Sequence, residues 1–120
     1  MTARILVAAA GLFGAAGTAG AAFAAHGGAD ANLVAIAAAI AFVHAPALLA
    51  LGLAPGGTLR ARFLPGGLMF LGTVLFSGDL AMRAVAGSRL FANAAPIGGT
   101  VLIAGWLSLV VLALLPRRPA

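Results

Sequence analysis

Four apolar runs, each about as long as a bilayer is thick, dominate this chain: Ile5 to Ala25, Leu33 to Leu53, Phe63 to Val85 and Ile97 to Leu115. Crossing ~30 Å of hydrocarbon takes ~20 helical residues at 1.5 Å each. The punctuation agrees with helices of that length. His26-Gly27-Gly28 closes the first run and Pro55-Gly56-Gly57 the second, Pro65 sits in the first turn of the third, and Pro96 and Pro116 bracket the fourth. Proline suits a first helical turn, where its missing N–H has no partner to lose, and it also suits the residues just beyond a helix end. The connections are too short for anything but antiparallel neighbours. The predicted fold is all-α, an antiparallel four-helix transmembrane bundle, with residues 1–120 forming one integral membrane domain.

Composition excludes the soluble alternative. Of the 120 residues 63% are hydrophobic and 8% charged, against roughly 45–50% and ~25% in soluble domains. A chain this small has too much surface to bury that much apolar area. Seven arginines against two acidic residues give a net charge of +5, which in a soluble protein would point to nucleic acid. Here Arg4, Arg60, Arg62, Arg89, Arg117 and Arg118 lie in the gaps between apolar runs, and only Arg83 lies within one. That placement describes membrane topology, so no nucleic-acid partner is expected. Five arginines flank the membrane on the side of the termini and Arg89 stands alone on the other, so both termini are expected in the cytoplasm. Ala22-Phe23-Ala24 resembles a signal-peptidase site, but the run before it exceeds the usual 7–15-residue signal core. The first run is therefore read as a retained span.

Several chemistries are excluded residue by residue. Without cysteine there is no disulfide, thiolate metal site, iron–sulfur cluster or thiol nucleophile. Ser77, Ser88 and Ser108 lack a nucleophile-elbow setting and a partner base, so no enzyme is predicted. The series Gly11, Gly14, Gly17 and Gly20 has neither the strand nor the Lys-Ser/Thr ending of a phosphate loop. Small residues at such spacings are instead helix-packing surfaces in membranes. Ala10, Gly14, Thr18 and Ala22 are expected to form one such face of the first span and Gly20 and Ala24 another, with Gly67 and Gly72 on the third span and Gly98, Gly99 and Gly105 on the fourth.

Polar side chains in hydrocarbon are costly, so His44, Ser77, Asp79 and Arg83 form the candidate intramembrane cluster, with His26 at the interface. Asp79 and Arg83 are one turn apart and can pair. At 1.5 Å per residue Arg83 lies ~6 Å deep, Asp79 ~12 Å and His44 ~18 Å, a descending ladder if the second and third spans face each other. One reading is a proton or ion relay; the other is a closed Asp79–Arg83 pair with His44 bonded to a neighbour. His26 and His44 differ in depth by ~15 Å or more and cannot share one metal or haem, so no cofactor is expected. His26 is read as a cap of the first helix, and Trp106, mid-span, as packing.

Certain short stretches also carry a resemblance. Ala22-Phe23-Ala24-Ala25-His26-Gly27, His44-Ala45, Phe76-Ser77-Gly78 with Leu80, Pro96-Ile97-Gly98-Gly99 and Gly105-Trp106 stand in this order and spacing. Together they resemble the YgdD/YwdK-type family of small four-span inner-membrane proteins, which has transmembrane protein 256-like eukaryotic relatives and no assigned activity. The resemblance implies an uncleaved first span and a location in the inner (plasma) membrane. Two positions depart from the family pattern: Asp79 stands in place of a serine and Ala81 in place of a tyrosine. The expected function is that of an accessory or structural component of a membrane assembly, with lipids and either a membrane-protein partner or further copies of itself as neighbours. The alternative is a proton, ion or small-solute transporter or channel acting as a homo-oligomer; a cofactor-bearing electron carrier ranks third.

Overall fold

A computed structural model describes residues 1–59 and 61–116. Arg60, Arg117 and Arg118, on which the expected orientation partly rests, lie outside the described residues. Four helices follow in order: α1 (Ala3–Ala25), α2 (Ala31–Leu53), α3 (Phe63–Ala86) and α4 (Ala94–Leu114). Each is long and apolar enough to cross a membrane. Three of them, α1, α2 and α4, begin two or three residues before the apolar run itself. Thr2 accepts the Ile5 amide on its hydroxyl at the head of α1, and Asn93, at φ 65°, precedes α4. Pro96 accordingly stands in the first turn of α4, where no hydrogen bond is lost.

The ends of the helices are closed individually. At the foot of α2 the Arg62 guanidinium bonds the Ala54 carbonyl and lies 5.0 Å above the Phe63 ring, so one arginine terminates α2 and opens α3. Gly87 ends α3 at φ 68°, a left-handed position that glycine takes without strain.

Each helix packs antiparallel on the next, α1 on α2, α2 on α3 and α3 on α4, with a minor α1–α3 contact. Among the described residues no Cα of α4 comes within 8 Å of α1 or α2, so the bundle is open along the α2–α4 side. Its core is apolar, with Leu6, Leu48 and Met69 at 0% exposure. Outward-facing residues such as Leu12, Val85, Ile103 and Leu114 remain exposed, as lipid-facing positions should.

Backbone proximity holds the two hairpins. A Cβ at Gly17 would lie 2.8 Å from the Cβ of Phe42, and one at Gly98 would lie 2.6 Å from the Phe76 amide nitrogen. Lipid gives no hydrophobic drive for helix association, so close approach supplies the dispersion contacts instead. The faces differ in detail from those expected. On α1 the contact runs through Gly14, Gly17 and Gly20, while Thr18 and Ala22 are exposed. The three-residue glycine series removes every Cβ from its ridge, whereas the four-residue series carries side chains at Ala10, Thr18 and Ala22. On α3 it is Gly66 that meets Leu6, and Gly67 has only the end of Met1 nearby.

Candidate functional site

The four intramembrane polar residues are held by three separate arrangements. His44, on α2, is 3% exposed. Its Nδ1 is 2.7 Å from the Ile40 carbonyl one turn earlier, and its Nε2 accepts the indole N–H of Trp106 on α4 at 3.0 Å. Indole nitrogen can only donate, so Nε2 must be the acceptor and Nδ1 must carry the hydrogen given to Ile40. Both ring nitrogens are thus satisfied by the neutral imidazole. This bond spans the side where the α2 and α4 backbones do not touch.

Ser77, on α3, donates its hydroxyl to the Ala37 carbonyl of α2 at 2.8 Å. A peptide carbonyl has two lone pairs, so Ala37 accepts this bond without giving up its helical one. The contact sets the register of α2 against α3.

Asp79 is 2% exposed. Its Oδ1 accepts the backbone N–H of Leu90 at 2.9 Å, and its Oδ2 lies 3.5 Å from Arg83 Nε. The second contact is an ion pair without a hydrogen bond, since Arg83 Nε is buried and has no hydrogen-bond partner. The carboxylate therefore ties the α3–α4 connection back onto α3, and Arg83 supplies compensating charge beside it.

His26 stands at the end of α1, exposed, with Nδ1 donating to the Ala22 carbonyl at 2.8 Å. The backbone N–H of His26 goes to the Phe23 carbonyl, so the ring gives the Ala22 carbonyl in the last turn of α1 a donor from its own chain.

Asp79 and Arg83 are adjacent, and His44 is not near them. The Ser77–Ala37 bond fixes the register. His44 lies two helical turns from Ala37 toward one membrane face, and Asp79 half a turn from Ser77 toward the other, which separates them by ~13 Å along the axis. The ladder expected from depth counted separately on each helix has rungs ~6 Å apart. Its spacing fails because the two helix ends are not level.

Two partners escape a reading of the sequence. Trp106, expected to pack, is the donor that satisfies His44. A usable signal exists: an indole N–H in mid-membrane needs an acceptor, and His44 is the imidazole at comparable depth. The Leu90 amide carries no such signal, because a backbone group looks the same at every residue. Thr73 is a third buried polar residue, 1% exposed, and its hydroxyl has no hydrogen-bond partner.

A protein family described as "Protein of unknown function (DUF423)" matches residues 20–99. The chain belongs to that family. Its relatives are membrane proteins. A UPF0382 membrane protein of Staphylococcus saprophyticus is 41% identical over 68 residues, 57% of each chain. One from Staphylococcus haemolyticus is 40% identical over 68 residues, 57% of this chain and 56% of that protein. The UPF0382 inner membrane protein YgdD of Escherichia coli K12 is 46% identical over 48 residues, 40% of this chain and 37% of that protein. The chain thus spans a little over half the length of the staphylococcal relatives it matches. No solved structure matches it. Four spanning helices and these relatives make it a multi-pass inner-membrane protein of the DUF423 family. The matched stretch holds His26, His44, Ser77, Asp79 and Arg83, and Trp106 lies beyond it.

Proposed function

We propose that this DUF423 member is a non-catalytic structural or accessory component of an inner-membrane assembly. One observation carries the reading: His44, Ser77 and Asp79 each bond a group within the chain. A residue that relays protons or ligates an ion needs a position open to its cargo, and these three instead join α2 to α4, α2 to α3 and α3 to its following loop. The three helix connections run to five, nine and seven residues, too short to hold a recognition domain between the helices. Partner contacts then fall to the helix surfaces. The alternative, a conduit formed by a homo-oligomer, receives less support, because His44 and the Asp79–Arg83 pair lie ~13 Å apart along the axis.

The test is extraction at native expression into nanodiscs, followed by mass determination of the intact particle. A particle containing other membrane subunits is the expected result. A solitary monomer overturns the reading. A pure homo-oligomer also overturns it, and sends the work to flux assays with the Asp79→Asn and His44→Ala variants in liposomes.

A further inference from the structure

The end of α3 stands above its neighbours on the side opposite the termini. Gly98 of α4 lies against Gly72 and Phe76, so Ala94, where α4 begins, is roughly level with Asp79. Ser77 bonds Ala37, so Ala31, where α2 begins, is roughly level with Arg83. Helix α3 runs on to Ala86. Arg83 is ~6 Å below the end of its own helix, yet it stands at the boundary that the other helices set, where lipid headgroups begin.

Two arginines meet one carboxylate at this corner. Asp79 Oδ2 is 3.5 Å from Arg83 Nε, and Oδ1 accepts the Leu90 N–H at 2.9 Å. Those contacts place the Cα of Arg89, the residue before Leu90, at most ~11 Å from Arg83 Nε, so the two guanidinium groups can flank one anion. The chain has only two acidic residues. The other, Asp30, precedes Ala37 by two turns and so lies on the Ser77 side of α3, whereas Arg83 is six residues on from Ser77 and ~120° away around the helix. Arg83 Nε is buried without a hydrogen-bond partner, and Arg89 is exposed. The corner thus carries one positive charge more than its carboxylate balances. We propose that Arg83 and Arg89 bind the phosphodiester of a membrane phospholipid in the leaflet opposite the termini.

The chemistry of the ligand follows from the donors. A guanidinium presents paired N–H groups that match two phosphate oxygens. A phosphodiester carries the single negative charge that the corner lacks, and the bilayer holds it at this depth. Asp79 keeps Arg83 on the α4 side of α3, away from Asp30. Free phosphate offers the same oxygens from the aqueous side. The site is independent of the proposed accessory role.

The test is solid-state NMR of the full chain, isotope-labelled at arginine nitrogen and aspartate carboxyl carbon, in phosphatidylglycerol bilayers without added phosphate. Arg83 is identified in the unaltered chain by transfer from the Asp79 carboxylate, 3.5 Å from its Nε, so no variant is needed to find it. Expected is dephasing of that signal by lipid phosphorus at hydrogen-bonded distance. The dephasing should weaken at least threefold in Arg89→Gln, which leaves the Leu90 amide on Asp79, and stay unchanged in Arg4→Gln, at the opposite face. An Arg83 signal untouched by phosphorus overturns the proposal, as it would describe a hydrated arginine beside Asp79. Dephasing that survives in full in Arg89→Gln overturns the paired site. A contact found only with inorganic phosphate, in bilayers of phosphorus-free glycolipid, overturns the lipid as its source.

Discussion

The indole N–H of Trp106 reaches across the open side of the bundle to Nε2 of His44, 62 positions earlier in the chain, at 3.0 Å. Because no Cα of α4 comes within 8 Å of α1 or α2 among the described residues, this bond is a direct polar tie between two helices whose backbones do not meet. Trp106→Phe and His44→Phe should each lower stability by ~1 kcal/mol, the net worth of one such bond in a protein or membrane interior. The double variant should be no worse than either single one. Unfolding in mixed micelles measures all three, and additive losses would show that the two residues act separately.

Asp79 gives a different graded series. Asp79→Asn keeps an oxygen for the Leu90 amide and should leave the α3–α4 connection in place. Asp79→Ala strands both that amide and the Arg83 guanidinium, for a loss of ~2–3 kcal/mol, the scale of hydrogen bonds to charged groups. Amide hydrogen exchange over residues 87–93 reads this directly: strong acceleration is expected in the alanine variant and little in the asparagine one. Equal acceleration in both would show that charge, rather than the accepting oxygen, holds the loop.

Close helix approach predicts opposite results at two glycines. A Cβ at Gly98 would stand 2.6 Å from backbone of α3, while one at Gly11 would meet nothing within 4 Å. Gly98→Ala should therefore force α3 and α4 apart and cost at least ~1–3 kcal/mol, as overpacking does. Gly11→Ala should be neutral or slightly stabilising, through alanine's higher helix propensity. Thermal aggregation of the two purified variants would separate them.

The absence of cysteine makes topology directly measurable. Single cysteines at Ala29 and Ala92 should react with a membrane-impermeant maleimide added to intact cells, and one at Gly56 should react only after lysis. The reverse pattern would place both termini outside and contradict the arginine asymmetry.

The number and order of the helices, and their C-terminal ends to within a residue, could be read from the sequence because they depend on run length and on proline and glycine at the boundaries, whereas three of the four starts fall two or three residues earlier. The Asp79–Arg83 pair was legible for a similar reason, since residues one turn apart share a face. What lay beyond reach was register between helices. A depth count on each span treats helix ends as level, and the Ser77–Ala37 bond shows that they are offset. The glycine ridge of α1 was equally ambiguous, because Gly17 and Gly20 compete with a Gly14–Thr18 line of similar length. Only the approach of Phe42 and Ala38 to Gly17 decides between them.

The His44–Trp106 bond also bears on how the protein is made. Helices α1 and α2 can close on each other through Gly17 and Gly20 as soon as both have left the ribosome. The imidazole acceptor on α2 must then wait in the nascent bilayer until the last helix arrives to cover it. In the interval the bond from Nδ1 to Ile40 satisfies one nitrogen and leaves the other bare. The newly inserted first hairpin is thus a temporarily polar object, and chain growth up to Trp106 ends that exposure.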